Sequence, residues 1–255
     1  MSPLPMRVLV TGGRGRLGQA LRPRLPEAWM PPRAELDLHE AAGVAAAIDS
    51  YRPTHVLHAA AFTDVRAAEQ DPEACWRTNV QGTTNLLRAL EFAGLQQACT
   101  VLYVSTACVF AGTAGPYSED DAPEPCNAYG RSKLAAENLV RAWPQHLVVR
   151  TNFVAAGPWP YPKAFSDRFG TYLYADDVAE GLAQLLREGR QGLVHLVGDR
   201  RLSMWELARL SSPQVQPMGM DELRPRLPLT MDMSLCSHRV AARRLGAAPR
   251  LSEAA

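Results

Sequence analysis

The chain has 255 residues, 47% of them apolar and 21% charged, with a formal net charge of +1. That length holds one large domain or slightly more with ample core, and the composition excludes an intrinsically disordered chain. Acids and bases are mixed along the sequence, so nothing in it predicts nucleic acid or a membrane surface as a bulk partner.

The opening stretch MSPLPMRVLVTGG carries an apolar run too short for a secretory h-region. Its RVLVTG (7–12) reads as a strand that runs into TGGRGRLG. A helix should follow from Arg16 towards 25, cut short by Pro23 and Pro26. A second, short strand is expected near 28–30. Then come a helix over 40–51, a strand over 55–61, a long helical pattern over 66–93 and a strand over 100–106. A helix over 129–142 and a strand over 146–151 close this half. Continuous apolar strands separated by helices predict an α/β fold, a doubly wound parallel sheet covered on both faces.

After Thr151 the texture changes. NFVAAGPWPYPKAFSDRFG is rich in Pro, Gly and aromatics and has no period, which suits a functional loop better than a linker. A helix over 176–188 and a strand over 193–198 follow, and Ser203 with Glu206 should form a capping box. The expected division is a dinucleotide-binding domain over 1–151, with 175–198 returning to it, and a small substrate lobe from 152–174 and 199–255. Five scattered cysteines without a CxxC pair point to a reducing compartment, and hence the cytoplasm. His55, His58, His146 and His195 fall on strands with no metal-binding spacing, and no metal is assigned. Trp159, Tyr161 and Phe165 either stack on a base or sugar or form a satellite core.

The glycine-rich turn matches two templates. Gly13, Gly15 and Gly18 fit G-x-G-x-x-G, and Gly12, Gly15 and Gly18 fit the wider G-x-x-G-x-x-G. Glycine lets the backbone turn tightly and approach a pyrophosphate, which then rests on helix N–H groups. Following a strand and opening a helix, the motif predicts dinucleotide binding. Arg14 inside the loop and Arg33 in MPPRAE offer guanidinium forks suited to a 2′-phosphate, which favours NADP(H). Two solvated arginines in an arginine-rich chain are the alternative, and NAD(H) stays open.

Tyr129 and Lys133 stand one turn apart on a predicted helix face. Lysine is rare here, with Lys163 the only other. An ammonium beside a phenol favours phenolate, tuning Tyr129 for acid–base work, and can also hold ribose hydroxyls. Upstream, Ser105 and Thr106 lie at the carboxyl end of the 100–106 strand, where doubly wound sheets bind ligands. Either hydroxyl serves to hold a carbonyl oxygen or merely caps the strand.

With VLVTGGRGRLG, VSTACVF, AYGRSKLAAE, VVRTNFV and YLYADDVAEGL in order, the chain resembles the extended short-chain dehydrogenase/reductase family over about 6–211. It is most similar to that family's dTDP-4-dehydrorhamnose reductase branch. The resemblance implies a Rossmann fold with a reduced C-terminal substrate lobe and a Thr106, Tyr129, Lys133 triad. It implies cofactor contacts from Gly12, Arg14, Gly15, Arg16, Leu17, Gly18, Arg33, Asp37, Leu38, Ala59, Ala60, Ala61, Asn79 and Ser105 as well. Substrate contacts would come from Thr63, Ala107, Cys108, Asn152 and Phe153, with Arg150 at the strand end that meets the sugar nucleotide. Asp176 or Asp177 would cap a helix.

Two departures stand out. The branch usually reads S-T-D-Y-V-F, whereas this chain reads Ser105-Thr106-Ala107-Cys108-Val109-Phe110. The segment between Asn152 and Tyr174 is also shorter than that branch implies. The implied activity is NADP(H)-dependent reduction of a keto group, at C4, on a nucleotide-activated deoxysugar, in a possible homodimer through the helices at 66–93 and 129–142. The alternatives are a nucleotide-sugar epimerase or a ketoreductase of another small carbonyl, and a non-catalytic dinucleotide-binding subunit.

Overall fold

The computed structural model describes residues 6–248. Strands Val8–Thr11 (β1), His55–His58 (β2), Thr100–Thr106 (β3), His146–Thr151 (β4) and Gly192–Leu196 (β5) form one sheet in that order. Every pairing in it is parallel. Alternate residues feed two cores. Val8, Val10, Leu57, Leu102, Val104 and Val149 pack under helices Arg16–Leu21 and Ala175–Arg187. Leu9, Val56, Val101, Tyr103 and Val148 pack under helices Ala41–Tyr51, Gly82–Phe92 and Ala128–Arg141. Both faces are covered, which is why the strands read as unbroken apolar runs.

The second strand expected near 28–30 is a single bridge. Trp29 N–H donates to Val8 O and Val10 N–H to Trp29 O, each at 2.9 Å. Pro26, Pro31 and Pro32 flank the bridge and lack the N–H that a longer ladder needs. The bridge still sets the topology. The chain leaves β1 towards Trp29 on one side and returns to β2 on the other, which opens a crevice at the carboxyl end of β1.

The long helix expected over 66–93 is divided into Val65–Gln70, Pro72–Trp76, a π-helical turn Arg77–Gln81, and Gly82–Phe92. Asp64 accepts from Ala67 N–H at 3.0 Å and Asp71 from Ala74 N–H at 2.9 Å, so each acid starts a new helix, the second with proline at its first position.

The aperiodic segment after Thr151 is held by short pairings. Phe153–Val154 runs parallel to Leu173–Tyr174, and Lys163–Phe165 parallel to Gln216–Met218. Phe169–Gly170 lies between Leu202–Ser203 and Asp232–Met233. The Ser203–Glu206 capping box is present, at 3.1 and 2.7 Å. Asp177 caps its helix from inside, accepting Tyr174 N–H at 3.0 Å, while Asp176 pairs with Arg24 at 3.1 Å.

Candidate active site

β1 runs directly into the glycine turn. Gly12 has φ +77°, and a Cβ there would lie 2.7 Å from Ala60 N. A Cβ on Gly18 would collide with Gly12 O. The helix Arg16–Leu21 starts at Gly15 with no side-chain cap, so among the described residues no side chain claims its leading N–H groups. Two adjoining hollows meet at this turn and share Gly12, Gly15, Ala59 and Ala61. One, of about 350 Å³, is bounded by Arg14, Arg33, Asp37, Leu38, Ala60 and Thr78 among others. The second, of about 560 Å³, takes in Arg16, Leu17, Gly18, Thr106, Tyr129 and Lys133. An uncapped turn between two hollows fits a dinucleotide.

In the first hollow Arg33 Nε donates to Asp37 Oδ2 at 2.9 Å, and Arg33 Nη2 meets His39 Nδ1 at 3.1 Å. Burial, the largest single effect, raises the Asp37 carboxyl, but the His39 N–H and the Arg33 guanidinium together outweigh it and hold the acid below its usual range. The Asp37 carboxylate is therefore already engaged by a guanidinium on the wall of this hollow. Beneath the wall formed by Ala59 and Ala60, His58 ties three elements together. Its Nδ1 meets Thr11 Oγ1 at 2.7 Å and its Nε2 meets Thr83 Oγ1 at 2.9 Å. Thr83 donates to Asn79 O at 2.6 Å, so His58 Nε2 carries the proton and Nδ1 accepts. Burial, helped by the Lys133 charge, lowers His58 to about 3, and the ring is neutral.

The second hollow is built on the helix Ala128–Arg141. Asn127 caps it, accepting Gly130 N–H at 2.8 Å. Gly130 lies so close to the end of β3 that a Cβ would run into Cys108 O. This approach brings Tyr129 against Thr106, whose hydroxyl hydrogen-bonds the phenol and also accepts Cys108 N–H at 3.1 Å. Lys133 Nζ donates to Val104 O at 2.8 Å and sits 4.0 Å above the Tyr103 ring. The expectation of a depressed phenol is corrected. Burial pushes Tyr129 well above its usual value, Cys108 adds to this, and the Thr106 hydrogen bond only partly opposes it. Lys133 is the group that moves into the neutral range, to about 7. Burial lowers it, while Glu137 and Cys75 pull the other way.

Several expected contacts lie elsewhere. Asn79 lines neither hollow. It accepts Phe62 N–H at 2.7 Å and donates to Ser132 Oγ at 2.8 Å, clasping the loop after β2 to the helix that carries Tyr129. Ala107 is fully buried and faces the core, since the short turn after Thr106 rotates it away and presents Cys108. Ser105 lines the cleft, but its hydroxyl donates to Glu137 Oε1. Arg150 is not at the sugar end of the cleft. It is buried in an ion pair with Glu137 at 2.8 Å. Trp159 packs against Ala164, Ala208 and Val215, and none of Trp159, Tyr161 and Phe165 lines the cleft.

Thr63, Cys108, Asn152 and Phe153 do line the second hollow. So do Val65, Arg168, Tyr172, Met204 and Met233, which sequence reasoning missed. No spacing marked them. Arg168 and Tyr172 sit in the aperiodic segment, and the methionines are about 30 residues apart on elements that only the fold brings together.

Residues 6–159 match the family model for the RmlD substrate binding domain. Over 229 residues the chain is 29% identical to the dTDP-4-dehydrorhamnose reductase of Aggregatibacter actinomycetemcomitans, covering 79% of this chain and 76% of that one. Over 145 residues it is 38% identical to methionine adenosyltransferase 2 subunit beta of Xenopus tropicalis, covering 52% of this chain and 42% of that one. Its fold matches the crystal structure of a dTDP-4-dehydrorhamnose reductase from Clostridium acetobutylicum with a TM-score of 0.80 and 25% identity, over 91% of this chain and 90% of that one.

Proposed function

The chain belongs to the RmlD substrate binding domain family, and on that premise we propose that it is an NADP(H)-dependent reductase of a keto group, at C4, on a nucleotide-activated deoxysugar. The observation that carries this reading is Thr106, Tyr129 and Lys133 on the wall of a cleft that begins at the glycine turn. The similarity to dTDP-4-dehydrorhamnose reductases supports the substrate class.

NADP(H) supplies the hydride when bound. Gly12, Gly15 and Gly18 admit its pyrophosphate, and Arg33 with Arg14 receives the 2′-phosphate. Thr106 holds the substrate oxygen beside the phenol. Tyr129 stays protonated at neutral pH because burial keeps its phenol high, so it has the proton to give to the alkoxide. Lys133 has three N–H donors and spends one on Val104 O, which leaves two for a ribose hydroxyl and for charge on the Tyr129 oxygen.

NADPH and NADH oxidation is measured against dTDP-4-keto sugars, with Tyr129→Phe as control. We expect NADPH to be preferred and the variant to lose about 10²–10⁴-fold in kcat while still binding NADPH. Near-full turnover by Tyr129→Phe would overturn the mechanism.

The stretch similar to methionine adenosyltransferase 2 subunit beta favours a second reading, a dinucleotide-binding subunit of a partner enzyme. Cofactor binding without turnover of any keto sugar, together with co-purification of an enzyme, is its signature. The reductase reading also includes cytoplasmic operation and a homodimer. Among the described residues no helix is long and apolar enough to cross a membrane, and the five cysteines are free. Trp76 and Phe92, exposed on the helices at 72–76 and 82–92, support pairing through that side.

A further inference from the structure

We propose that Tyr103 is a positioning residue for the reaction: the face of its buried ring seats the Lys133 ammonium and favours its charged form. This rests on the reductase reading, in which Lys133 meets both the cofactor ribose and the Tyr129 oxygen.

Tyr103 stands on the central strand β3, its backbone between His58 on β2 and Val148 on β4. Its side chain enters the core under the helix that carries Lys133. The strand residues around it in that core, Leu9, Val56, Val101 and Val148, are aliphatic. The hydroxyl does not explain why a tyrosine stands there, since among the described residues it is buried without a hydrogen-bond partner. An unpaired hydroxyl is a cost, so the offsetting gain lies in the ring. Burial, with Tyr129, Glu137 and Cys75 adding to it, holds this phenol well above its usual value, and the ring is neutral. Lys133 Nζ sits 4.0 Å from the ring centroid, within the roughly 6 Å over which a ring face attracts a cation. The His58 ring, its centroid 5.4 Å away, flanks the seat.

A buried ammonium needs such a partner. Lys133 is 2% exposed, and removing a charge from water is costly unless other groups replace the water. Lys133 donates to Val104 O at 2.8 Å, while Glu137 is shared with Arg150 and Ser105. The ring face adds negative potential without consuming an N–H, which keeps donors free for the ribose and the phenol. The ionisable groups around Lys133 are Tyr129 and Glu137 on its own helix, Tyr103 on β3, His58 on β2 and Cys75 on the helix Pro72–Trp76, with Arg150 on β4 behind Glu137. Burial holds both phenols and Cys75 above their usual values and His58 at about 3, and Glu137 is ion-paired with Arg150. Among these groups Lys133 is therefore the one that titrates near 7.

Lys133 and Lys163 are the only lysines, so protein labelled with ¹³C-lysine gives two side-chain signals, and Lys163→Arg identifies that of Lys133. Its titration is followed by NMR in wild type, in Tyr103→Phe, with 3,4,5-trifluorophenylalanine at the same position, and in Val101→Ala. Tyr103→Phe removes only the unpartnered hydroxyl, so it should fold and titrate close to wild type. Fluorines draw charge off the ring face at nearly constant shape, and the midpoint should fall by about one pH unit. Val101→Ala hollows the same core, keeps the ring and should leave the midpoint in place. In turnover the basic limb of kcat/KM should follow the midpoint, so above it the fluorinated protein should lose about tenfold against Tyr103→Phe. A midpoint that ignores fluorination, one that Val101→Ala moves as far, or a limb that stays while the midpoint falls would overturn the seat. If the wild type reduces a keto sugar and the midpoint ignores fluorination, this inference falls while the reductase stands. If the midpoint falls with fluorination but the wild type reduces no keto sugar, the reductase reading falls instead.

Discussion

Glu137 lies in a buried ion pair with Arg150, its Oε2 2.8 Å from Arg150 Nη2, one helical turn beyond Lys133. Its Oε1 also accepts from Ser105 Oγ and from Arg150 Nε, the latter at 3.1 Å. Among the described residues Arg150 Nη1 has no hydrogen-bond partner, so Glu137 is what makes this buried guanidinium tolerable. Glu137 also supports the Lys133 ammonium against burial.

Glu137→Gln therefore has two separable effects. It leaves Arg150 buried and uncompensated, which should cost about 3–5 kcal/mol in urea unfolding. It also lets Lys133 fall below 7, so the basic limb of kcat/KM should move to lower pH. Adding Arg150→Met should restore much of the stability but not the limb. A pH profile that returns with the stability would mean that Glu137 acts only as a structural partner.

Lys133 makes stability depend on pH with a definite sign. Its ordinary value is 10.5 and burial lowers it to about 7. Between these values the unfolded chain binds more protons than the folded one, so this group's contribution to stability rises as pH climbs from 7 towards 10.5. Cys75 and Cys99 are raised by burial and act oppositely above their ordinary 9.0. The informative quantity is thus the difference between wild type and Lys133→Met. Wild type should gain on the variant across this range in denaturant midpoint. Parallel curves would mean that Lys133 is not desolvated in solution.

Arg33, on the wall of the first hollow, is the residue that tests the cofactor preference. Its side chain is 72% exposed, yet its Nε is held by the acid at 2.9 Å. Arg33→Ser removes the fork and releases Asp37, which keeps its hydrogen bond from the His39 N–H. NADPH should lose about 10–100-fold in kcat/KM, while NADH holds or improves. An unchanged ratio of the two would assign Arg33 to the solvated surface.

The parts of the site legible in the sequence are those whose geometry is local. Gly12 to Gly18 is one continuous turn, and Tyr129 and Lys133 need only a helix to share a face. What escaped depends on partners distant in the chain. Trp29 forms only a bridge, its N–H donating to Val8 O and its O accepting Val10 N–H, because the prolines around it bar the longer strand expected there. Arg150 looked like a strand-end ligand because nothing within its strand reveals Glu137 on a neighbouring helix. Asn79 enters the site through the resemblance alone, because the π turn that aims it at Phe62 and Ser132 leaves no sequence period. Arg168 and Tyr172 became cleft residues only when short pairings folded their segment back over Asn152.

Gly130 tests whether the catalytic helix must lie as close as it does. A Cβ there would strike Cys108 O, which is backbone and has no rotamer to escape by, with Pro125 Cβ at 2.9 Å closing another side. Gly130→Ala should therefore push the first turn of the helix off the end of β3 and separate Tyr129 from Thr106. Misplacement of that kind costs on the order of 10²-fold in rate, and overpacking costs about 1–3 kcal/mol in stability. Gly43→Ala is the matched control. Its Cβ would meet only Glu40 Cβ at 3.8 Å, so it should leave activity unchanged and stabilise the helix Ala41–Tyr51 by up to about 1 kcal/mol. NADPH binding should survive Gly130→Ala, because the glycine turn is untouched. A Gly130→Ala protein with wild-type kcat would show that Tyr129 reaches its proton acceptor without this contact.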